Sequence, residues 1–124
     1  MKNIFYATLV SAVALFSNTS QAQEVLPTIV NAKCMRTEYP QSSLKNQETG
    51  TVVFSLLIAV DGSVVDSKID ISSGFRNLDR ATLVNARECK FNAGSKDGQP
   101  EKMWVKQQFI WNLPSDTNEL PLSR

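Results

Sequence analysis

Residues 51–71 read TVVFSLLIAVDGSVVDSKIDI, and this stretch decides the fold. Its first ten residues are rich in β-branched and aromatic side chains and contain neither Gly nor Pro, which favours a strand. The pair Asp61-Gly62 follows, and we interpret it as a two-residue hairpin turn in which both residues take positive φ angles. Val64 to Ile71 then form the second strand of the hairpin.

The two strands of this hairpin differ in how many of their faces are apolar. The first, from Thr51 to Val60, is apolar on both faces, so we expect it to be central, with a neighbouring strand on each side. The second alternates, and one dry face is predicted to hold Val65, Ser67, Ile69 and Ile71. The hairpin therefore predicts a sheet with one buried and one wet face.

The first 22 residues have the pattern of a secretory signal peptide. Lys2 gives the segment a positively charged N-terminus, and Ile4 to Phe16 form an apolar run. Ser20 and Ala22 are small residues at the −3 and −1 positions of a cleavage site. We expect export to the periplasm with cleavage after Ala22. In the alternative, the segment stays uncleaved and anchors the chain in the inner membrane, although the run is shorter than a typical span of about 20 residues.

Composition and motifs argue against several classes of function. The chain has 13 basic and 12 acidic residues without a basic cluster, so nothing favours a nucleic-acid partner. It contains no His, no Gly-x-Ser-x-Gly elbow and no phosphate loop. We therefore predict no enzyme activity, no catalytic residue, no metal site and no cofactor.

The sequence contains two cysteines, Cys34 and Cys89. In an exported protein an even pair favours one disulfide. That bond would close a loop of about 55 residues and stabilise the fold by about 4 kcal/mol. Two buried thiols are the alternative. Metal binding is a weaker reading, because without His the ligand set is incomplete.

The segments before the hairpin are an arm and a short helix. Residues 23–35 have one Pro and no clear periodicity, and we interpret them as an extended arm that leads to Cys34. A helix of about two turns begins at Pro40 and is predicted to stop at Gly50.

The segments after the hairpin are a helix, a loop and a long strand. Asn77 is the predicted N-cap of a helix over 78–90, whose apolar arc comprises Leu78, Ala81, Val84, Ala86 and Cys89. Residues 92–100 are predicted to be a loop, and 114–124 a disordered tail. Between them, residues 102–113 alternate apolar and polar side chains, which predicts a third strand.

The order helix, strand, strand, helix, strand predicts the fold class. We expect an α+β domain over residues 36–113, in which a three-stranded antiparallel sheet carries two helices on one face. The helices would cover the apolar face of the sheet.

Several short motifs follow one another in a specific order. They are Tyr39-Pro40, Glu48-Thr-Gly50-Thr-Val-Val53, Asp61-Gly62, Ser72-Ser-Gly-Phe75, Leu78-Asp79-Arg80-Ala81, Cys89-Lys-Phe91 and Asp97-Gly98, before a long final strand. Over residues 36–113 the sequence resembles the C-terminal domain of the TonB family. The resemblance implies a domain that captures an extended segment of an outer-membrane receptor as an added strand of its sheet.

The resemblance also implies which residues meet the partner. The predicted binding edge is the last strand, with contacts from Lys102, Trp104, Lys106, Gln108, Ile110 and Asn112, and further contacts from Tyr39 and Arg36. In the family's transducers a Gln-rich segment precedes the Tyr-Pro pair, where this sequence has Arg36-Thr37-Glu38. Those transducers also carry a membrane helix and a long Pro-rich spacer, and this sequence shows neither.

Three interpretations of function follow. The first is a periplasmic TonB-type module that binds an extended segment of an envelope or outer-membrane transport protein by strand addition. The second is a short, N-terminally anchored energy transducer for TonB-dependent transport. The third is a structural envelope protein, either a homodimer through the same edge or a cell-wall binder.

Overall fold

The computed structural model describes residues 23–36 and 38–114. In chain order the elements are β1 (Glu24–Val25), β2 (Thr28–Ile29), a 3-10 helix (Ala32–Met35), α1 (Gln41–Lys45), β3 (Gly50–Ile58), β4 (Val64–Ile71), α2 (Arg76–Ala86), β5 (Phe91–Asn92), β6 (Gly94–Lys96), β7 (Gln99–Glu101) and β8 (Met103–Trp111). The predicted signal peptide (1–22) and residues 115–124 of the predicted tail lie outside the described residues.

The main sheet has three antiparallel strands in the order β4-β3-β8, so β3 is central. Its inward side chains, Val52, Phe54, Leu56 and Ile58, are at most 1% exposed. Leu78 and Ala86 of α2 join them in one core cluster. The predicted α+β fold is confirmed, and burial of the apolar stripe of β3 explains why the helices lie on this face.

The hairpin between β3 and β4 is one residue longer than predicted. Gly62 has φ 86°, but Asp61 does not have a positive φ. The N–H of Gly62 donates to the carbonyl of Ala59 over 2.9 Å, and the N–H of Ala59 donates to that of Ser63 over 2.9 Å. The loop is therefore a three-residue turn closed by one left-handed glycine. The two-residue prediction was wrong, and Val60 lies in the turn, exposed.

Strand β4 carries two bulges that change which side chains face the core. The register shifts between Val53 and Phe54 and between Leu57 and Ile58 of β3, and each shift leaves one residue of β4 unpaired. Ile58 therefore pairs with Val64 rather than with Val65, which would follow in an unbroken register. The predicted dry face was wrong in part: Ser67 and Ile69 are half-buried, but Val65 and Ile71 are exposed.

Helix α2 begins two residues earlier and ends four residues earlier than predicted. Phe75 is the N-cap, and the Asn77 side chain instead donates to Ser42 Oγ over 2.9 Å, which ties α2 to the start of α1. The predicted apolar arc was wrong at Val84, which is half exposed, because Thr82 is buried instead. The Thr82 hydroxyl donates to the Leu78 carbonyl over 2.8 Å, which satisfies it inside the core.

Helix α1 ends before the predicted stop at Gly50. Gln47 takes φ 54°, and the N–H groups of Gln47 and Glu48 donate to the carbonyls of Leu44 and Ser43 over 3.2 and 2.9 Å. This is the Schellman arrangement, in which a left-handed residue satisfies the last carbonyls of a helix. Glutamine holds the position where glycine is most common.

The predicted loop at 92–100 instead contains a small hairpin. Strands β6 and β7 pair through Lys96↔Gln99, and the intervening Asp97 and Gly98 have φ values of 51° and 80°. Two positive φ angles in a two-residue turn are the geometry that an Asp-Gly pair favours. The turn that we assigned to Asp61-Gly62 is thus formed by the second Asp-Gly pair of the sequence.

The N-terminal arm is extended, and it pairs with this part of the fold. Strand β1 pairs with β6, and β2 pairs with β5 through Ile29↔Phe91. The prediction of an extended arm was wrong over its last four residues, Ala32–Met35, which form the 3-10 helix. Cys34 in this helix forms a disulfide with Cys89, with 5.3 Å between the two Cα atoms. The arm is therefore held by two short strand pairs and one covalent bond.

Candidate functional site

Strand β8 forms one edge of the main sheet. It pairs with β3 without a register shift over all of its 9 residues, from Met103↔Ile58 to Trp111↔Gly50. Among the described residues, no strand pairs with its other side. Half of its backbone N–H and C=O groups point to that side, where they can template another strand.

The opposite edge, β4, differs from β8. Its two bulges leave Val65 and Asp70 without Cα partners in β3, and Asp66, Lys68 and Asp70 are exposed along it. Bulges and charged side chains are the devices by which proteins prevent pairing at an edge strand. The sheet therefore has one protected edge and one regular edge.

The residues that the sequence predicted for partner binding lie together on β8 and at its two ends. Trp104, Lys106, Gln108 and Ile110 alternate along the strand and are exposed on the face of the sheet opposite the helices, with Lys102 just before the strand and Asn112 just after it. Trp104 is 41% exposed and Ile110 is 52% exposed. The alternating pattern thus brings the four side chains within β8 to one row, which we call the exposed row, and Lys102 and Asn112 flank it.

Trp104 of β8 contacts Lys68 of β4, the strand at the opposite edge of the sheet. Lys68 Nζ lies 4.7 Å from the centroid of the Trp104 ring. Lys68 is paired with Ser55 of the central strand, whose hydroxyl donates to the carboxylate of Asp70. A cation–π contact at an exposed site contributes about 0.5–1 kcal/mol. This contact links the two outer strands of the sheet across β3.

Tyr39 lies in an aromatic cluster at the end of β8. Its ring meets that of Trp111 edge to face, with 5.0 Å between centroids, and Phe109 meets Trp111 in the same way. The Tyr39 hydroxyl donates to the carbonyl of Glu48. Burial, and then the charge of Glu48, raise the pKa of Tyr39 above its usual value. These contacts give Tyr39 a packing role, whereas Arg36 is exposed.

The indole N–H of Trp111 also has a partner inside the core. It donates to the Thr82 hydroxyl over 2.9 Å, so β8 is bonded to α2 as well as to β3. Trp111 is 2% exposed. This fixes the C-terminal end of the edge strand against the helical layer.

Sequence reasoning missed a cavity on the inner side of β8. Its volume is about 100 Å³, and it is lined by Ile29, Met35, Phe54, Leu56, Phe91, Gln107, Gln108 and Phe109. The lining comes from the arm, β3, β5 and β8, which are far apart in the sequence. The one available signal was the break in the apolar alternation of β8 at Gln107, which lies at the cavity.

Two kinds of feature are missing from the described part of the chain. No group of three or more His, Cys, Asp or Glu residues there could hold a metal ion. None of the helices within residues 23–36 and 38–114 has both the length and the apolar character needed to cross a membrane.

Comparison with known proteins gives consistent results. The family model described as Gram-negative bacterial TonB protein C-terminal matches residues 35–113. Protein TonB of Neisseria meningitidis serogroup C is 41% identical over 69 residues, which cover 56% of this chain and 25% of that protein. Protein TonB of Xanthomonas campestris pv. campestris (strain B100) is 34% identical over 62 residues, or 50% and 28%. The chain thus spans about a quarter of the length of these curated relatives.

A solved structure shows the same fold. The solution NMR structure of the Pseudomonas aeruginosa TonB CTD has a TM-score of 0.53 with 19% sequence identity, and the match covers 80% of this chain and 93% of that chain.

Proposed function

Because the chain belongs to the family of Gram-negative bacterial TonB protein C-terminal domains, we propose that it binds an extended segment of an envelope or outer-membrane transport protein by adding that segment to β8. The observation that carries the proposal is the contrast between the two edges of the main sheet. Strand β8 is regular over 9 residues, whereas β4 is interrupted by two bulges.

The regular edge supports strand addition through its backbone. Nine residues extend over about 30 Å, and the outward N–H and C=O groups of β8 offer hydrogen bonds along that length. Backbone pairing supplies affinity with little dependence on sequence, and side chains next to the ladder supply specificity. β8 also contains no Pro, which would interrupt the ladder.

The exposed row on β8 supports specific contacts with the added strand. A strand paired with β8 would place its own side chains about 4.5–5.5 Å from those directly opposite. Trp104 and Ile110 offer apolar surface to such side chains, and Lys106 offers a positive charge between them. Tyr39 keeps a supporting role in this proposal, because its ring packs on Trp111.

We place the module in the periplasm, exported with cleavage after Ala22. The Cys34–Cys89 disulfide supports an oxidising compartment. Intact mass of protein recovered from a periplasmic extract tests this placement: a chain that begins at Gln23 is expected, and full-length protein confined to the membrane fraction would favour the anchored form.

The test of strand addition uses synthetic peptides from the periplasm-facing segments of outer-membrane transport proteins of the same host. Titration followed by backbone amide NMR should shift the resonances of β8 more than those of β4. Binding should be lost in Gln107→Pro or Gln108→Pro, because N–H groups alternate in direction along a strand and one of the two points outward.

The matched control for these variants is Val65→Pro on the other edge. Val65 is an unpaired bulge residue, a position where Pro is tolerated, so this variant should bind as the parent does. Circular dichroism must show that each variant is folded. Shifts confined to residues outside β8, or unchanged binding in both β8 variants, would overturn the proposal, and a concentration-dependent dimer through β8 without peptide binding would favour the structural role.

A further inference from the structure

We infer that the cavity beside β8 receives one aliphatic side chain of the captured strand and so selects which strands bind. This inference rests on the proposed function, and it adds a specificity site on the opposite face of β8 from the exposed row. Arm residues Ile29 and Met35 help to form that site.

The lining of the cavity shows where it opens. Its floor consists of the buried side chains of Phe54, Leu56 and Phe91. Its rim consists of less buried residues, and these come from the arm and from β8 alone: Ile29, Met35, Gln107 and Phe109 are half-buried, and Gln108 is exposed. The cavity therefore opens between the arm and β8, which is the flank where an added strand would lie.

The geometry of a paired strand determines which side chain of the captured segment would enter the cavity. Side chains of an added strand alternate between the two faces of the sheet, so every second one points to the inner face. The inward side chain opposite Gln107 or Phe109 would lie about 5 Å from it. That side chain would enter the opening, while its neighbours on the peptide would lie beside the exposed row of β8.

The chemistry of the lining selects an uncharged aliphatic group. None of the eight lining residues is charged, and six of them are apolar. A charged side chain there would lose its hydration without gaining a partner. A volume of about 100 Å³ is smaller than the engineered cavity of about 150 Å³ that holds benzene, which suits a branched aliphatic side chain better than an aromatic one.

The arm gives the cavity its outer wall, and the disulfide holds the arm. Ile29 is fixed by its pairing with Phe91. Met35 directly follows Cys34 in the 3-10 helix and is fixed by the bond to Cys89. Without the arm, this edge of the sheet would have no cavity. With the arm, a cavity lies beside residues 107–109 of β8.

The test uses four peptides with the same length as β8. Each alternates serine and threonine and carries leucine, alanine, aspartate or phenylalanine at its centre, and binding is followed by the amide resonances of β8 and the methyl resonances of Ile29 and Met35. The leucine peptide should bind about tenfold or more tightly than the alanine peptide, and the aspartate peptide should bind more weakly than both.

Two substitutions on adjacent residues separate the cavity from the edge. Gln107→Phe fills the cavity and should remove the preference for leucine over alanine, while Lys106→Phe, at a residue outside the lining, places the same side chain on the opposite face and should keep the preference. Met35→Ala enlarges the cavity from the arm side and should shift the preference from leucine toward a peptide with phenylalanine at its centre.

The outcomes distinguish this inference from the function on which it rests. If all peptides shift the β8 amides with equal affinity, strand addition stands and the selective cavity is overturned. If the leucine preference survives Gln107→Phe and is unaltered by Met35→Ala, the preference arises elsewhere, and the inference is again overturned. If neither these peptides nor those from the transport proteins shift the β8 amides, the proposed function fails, and the inference fails with it. If only the transport-protein peptides do so, strand addition stands and the selective cavity is overturned.

Discussion

Two features of the structure exclude a side chain at Gly62: its backbone conformation and its close contact with Phe91. It has φ 86°, and a Cβ atom built on it would lie 2.0 Å from the carbonyl oxygen of Phe91. The Gly62 carbonyl also accepts from the Phe91 N–H over 2.9 Å. The hairpin turn is therefore in direct backbone contact with the start of β5.

We expect Gly62→Ala to lower the free energy of unfolding by roughly 2–4 kcal/mol, because both the left-handed conformation and the contact with Phe91 oppose a side chain. Gly74→Ala is the matched control, since Gly74 has φ 93° with nothing within 4 Å of a built Cβ. The control should cost only about 1 kcal/mol. Urea unfolding measures both, and equal losses would contradict the role assigned to the Phe91 contact.

Asp79 holds the turn before α2 through several hydrogen bonds. Its carboxylate accepts from the Ser73 N–H over 2.9 Å, from the Ser73 hydroxyl over 2.7 Å and from the Ser72 hydroxyl. Burial raises the pKa of Asp79, but the hydrogen bonds from Ser72 and Ser73 outweigh it and hold the pKa below its usual 3.8.

A lowered pKa in the folded state stabilises the fold at every pH above the unfolded value, and this contribution is lost as pH falls through the folded pKa. We therefore expect Asp79→Asn to reduce the melting temperature at neutral pH and to flatten its fall below about pH 4. Melting curves from acid to neutral pH measure the effect. Parallel curves for the two proteins would show that Asp79 contributes nothing to the acid sensitivity.

At the scale of single elements, α1 ends on a residue that does not favour its conformation. Gln47 is left-handed, a conformation that costs an L-residue about 1–2 kcal/mol. Gln47→Gly should therefore raise the free energy of unfolding by about 1 kcal/mol, whereas Gln47→Ala, which retains the cost, should give no gain. Chemical denaturation of both variants decides this, and destabilisation by glycine would contradict it.

The strands show what the sequence could and could not predict. Long patterns were sufficient: the two apolar faces of β3 placed it at the centre, and the alternation of β8, although broken at Gln107, predicted which of its side chains are exposed. Bulges were not predictable, because Val65 and Asp70 satisfy the strand pattern as well as their neighbours do. The same dipeptide, Asp-Gly, forms a three-residue turn after β3 and a two-residue turn after β6, and the difference lies in what surrounds each turn.

The cavity beside β8 escaped prediction for a related reason. Four separate segments line it, and no local pattern records that they meet. The buried Thr82 is a similar case. Its polar side chain predicts an exposed position, and only the tertiary structure shows that the Trp111 indole donates to it in the core. Local periodicity thus predicts strands and faces, and tertiary contacts decide pockets and buried polar pairs.

At the scale of the whole molecule, the disulfide connects two distant parts of the chain, and reduction removes it in one step. Cys34 and Cys89 are separated by 55 positions, and closing a loop of that size stabilises a fold by about 4 kcal/mol in the chain-entropy model. Reduction should therefore lower the melting temperature by about 15 °C or more.

The double variant Cys34→Ser/Cys89→Ser should melt at the temperature of the reduced protein and should not respond to reductant, which controls for effects of the reductant itself. Reduction should also broaden the methyl resonance of Met35, because the arm is then held only by short strand pairs. An unchanged melting curve of the parent after full reduction, verified by thiol titration, would contradict the stabilising role.

The covalent loop from Cys34 to Cys89 also determines how the molecule would carry mechanical load. β3 and β4 lie inside the loop, whereas β8 lies outside it and joins the rest of the main sheet through its ladder with β3. Tension between the arm and a strand added to β8 would pass through the disulfide to Cys89 and then along the backbone of residues 90–102 into β8. The load would therefore bypass β3, β4 and α2, which lie inside the closed loop, and the one non-covalent link in its path would be the pairing between β8 and the added strand.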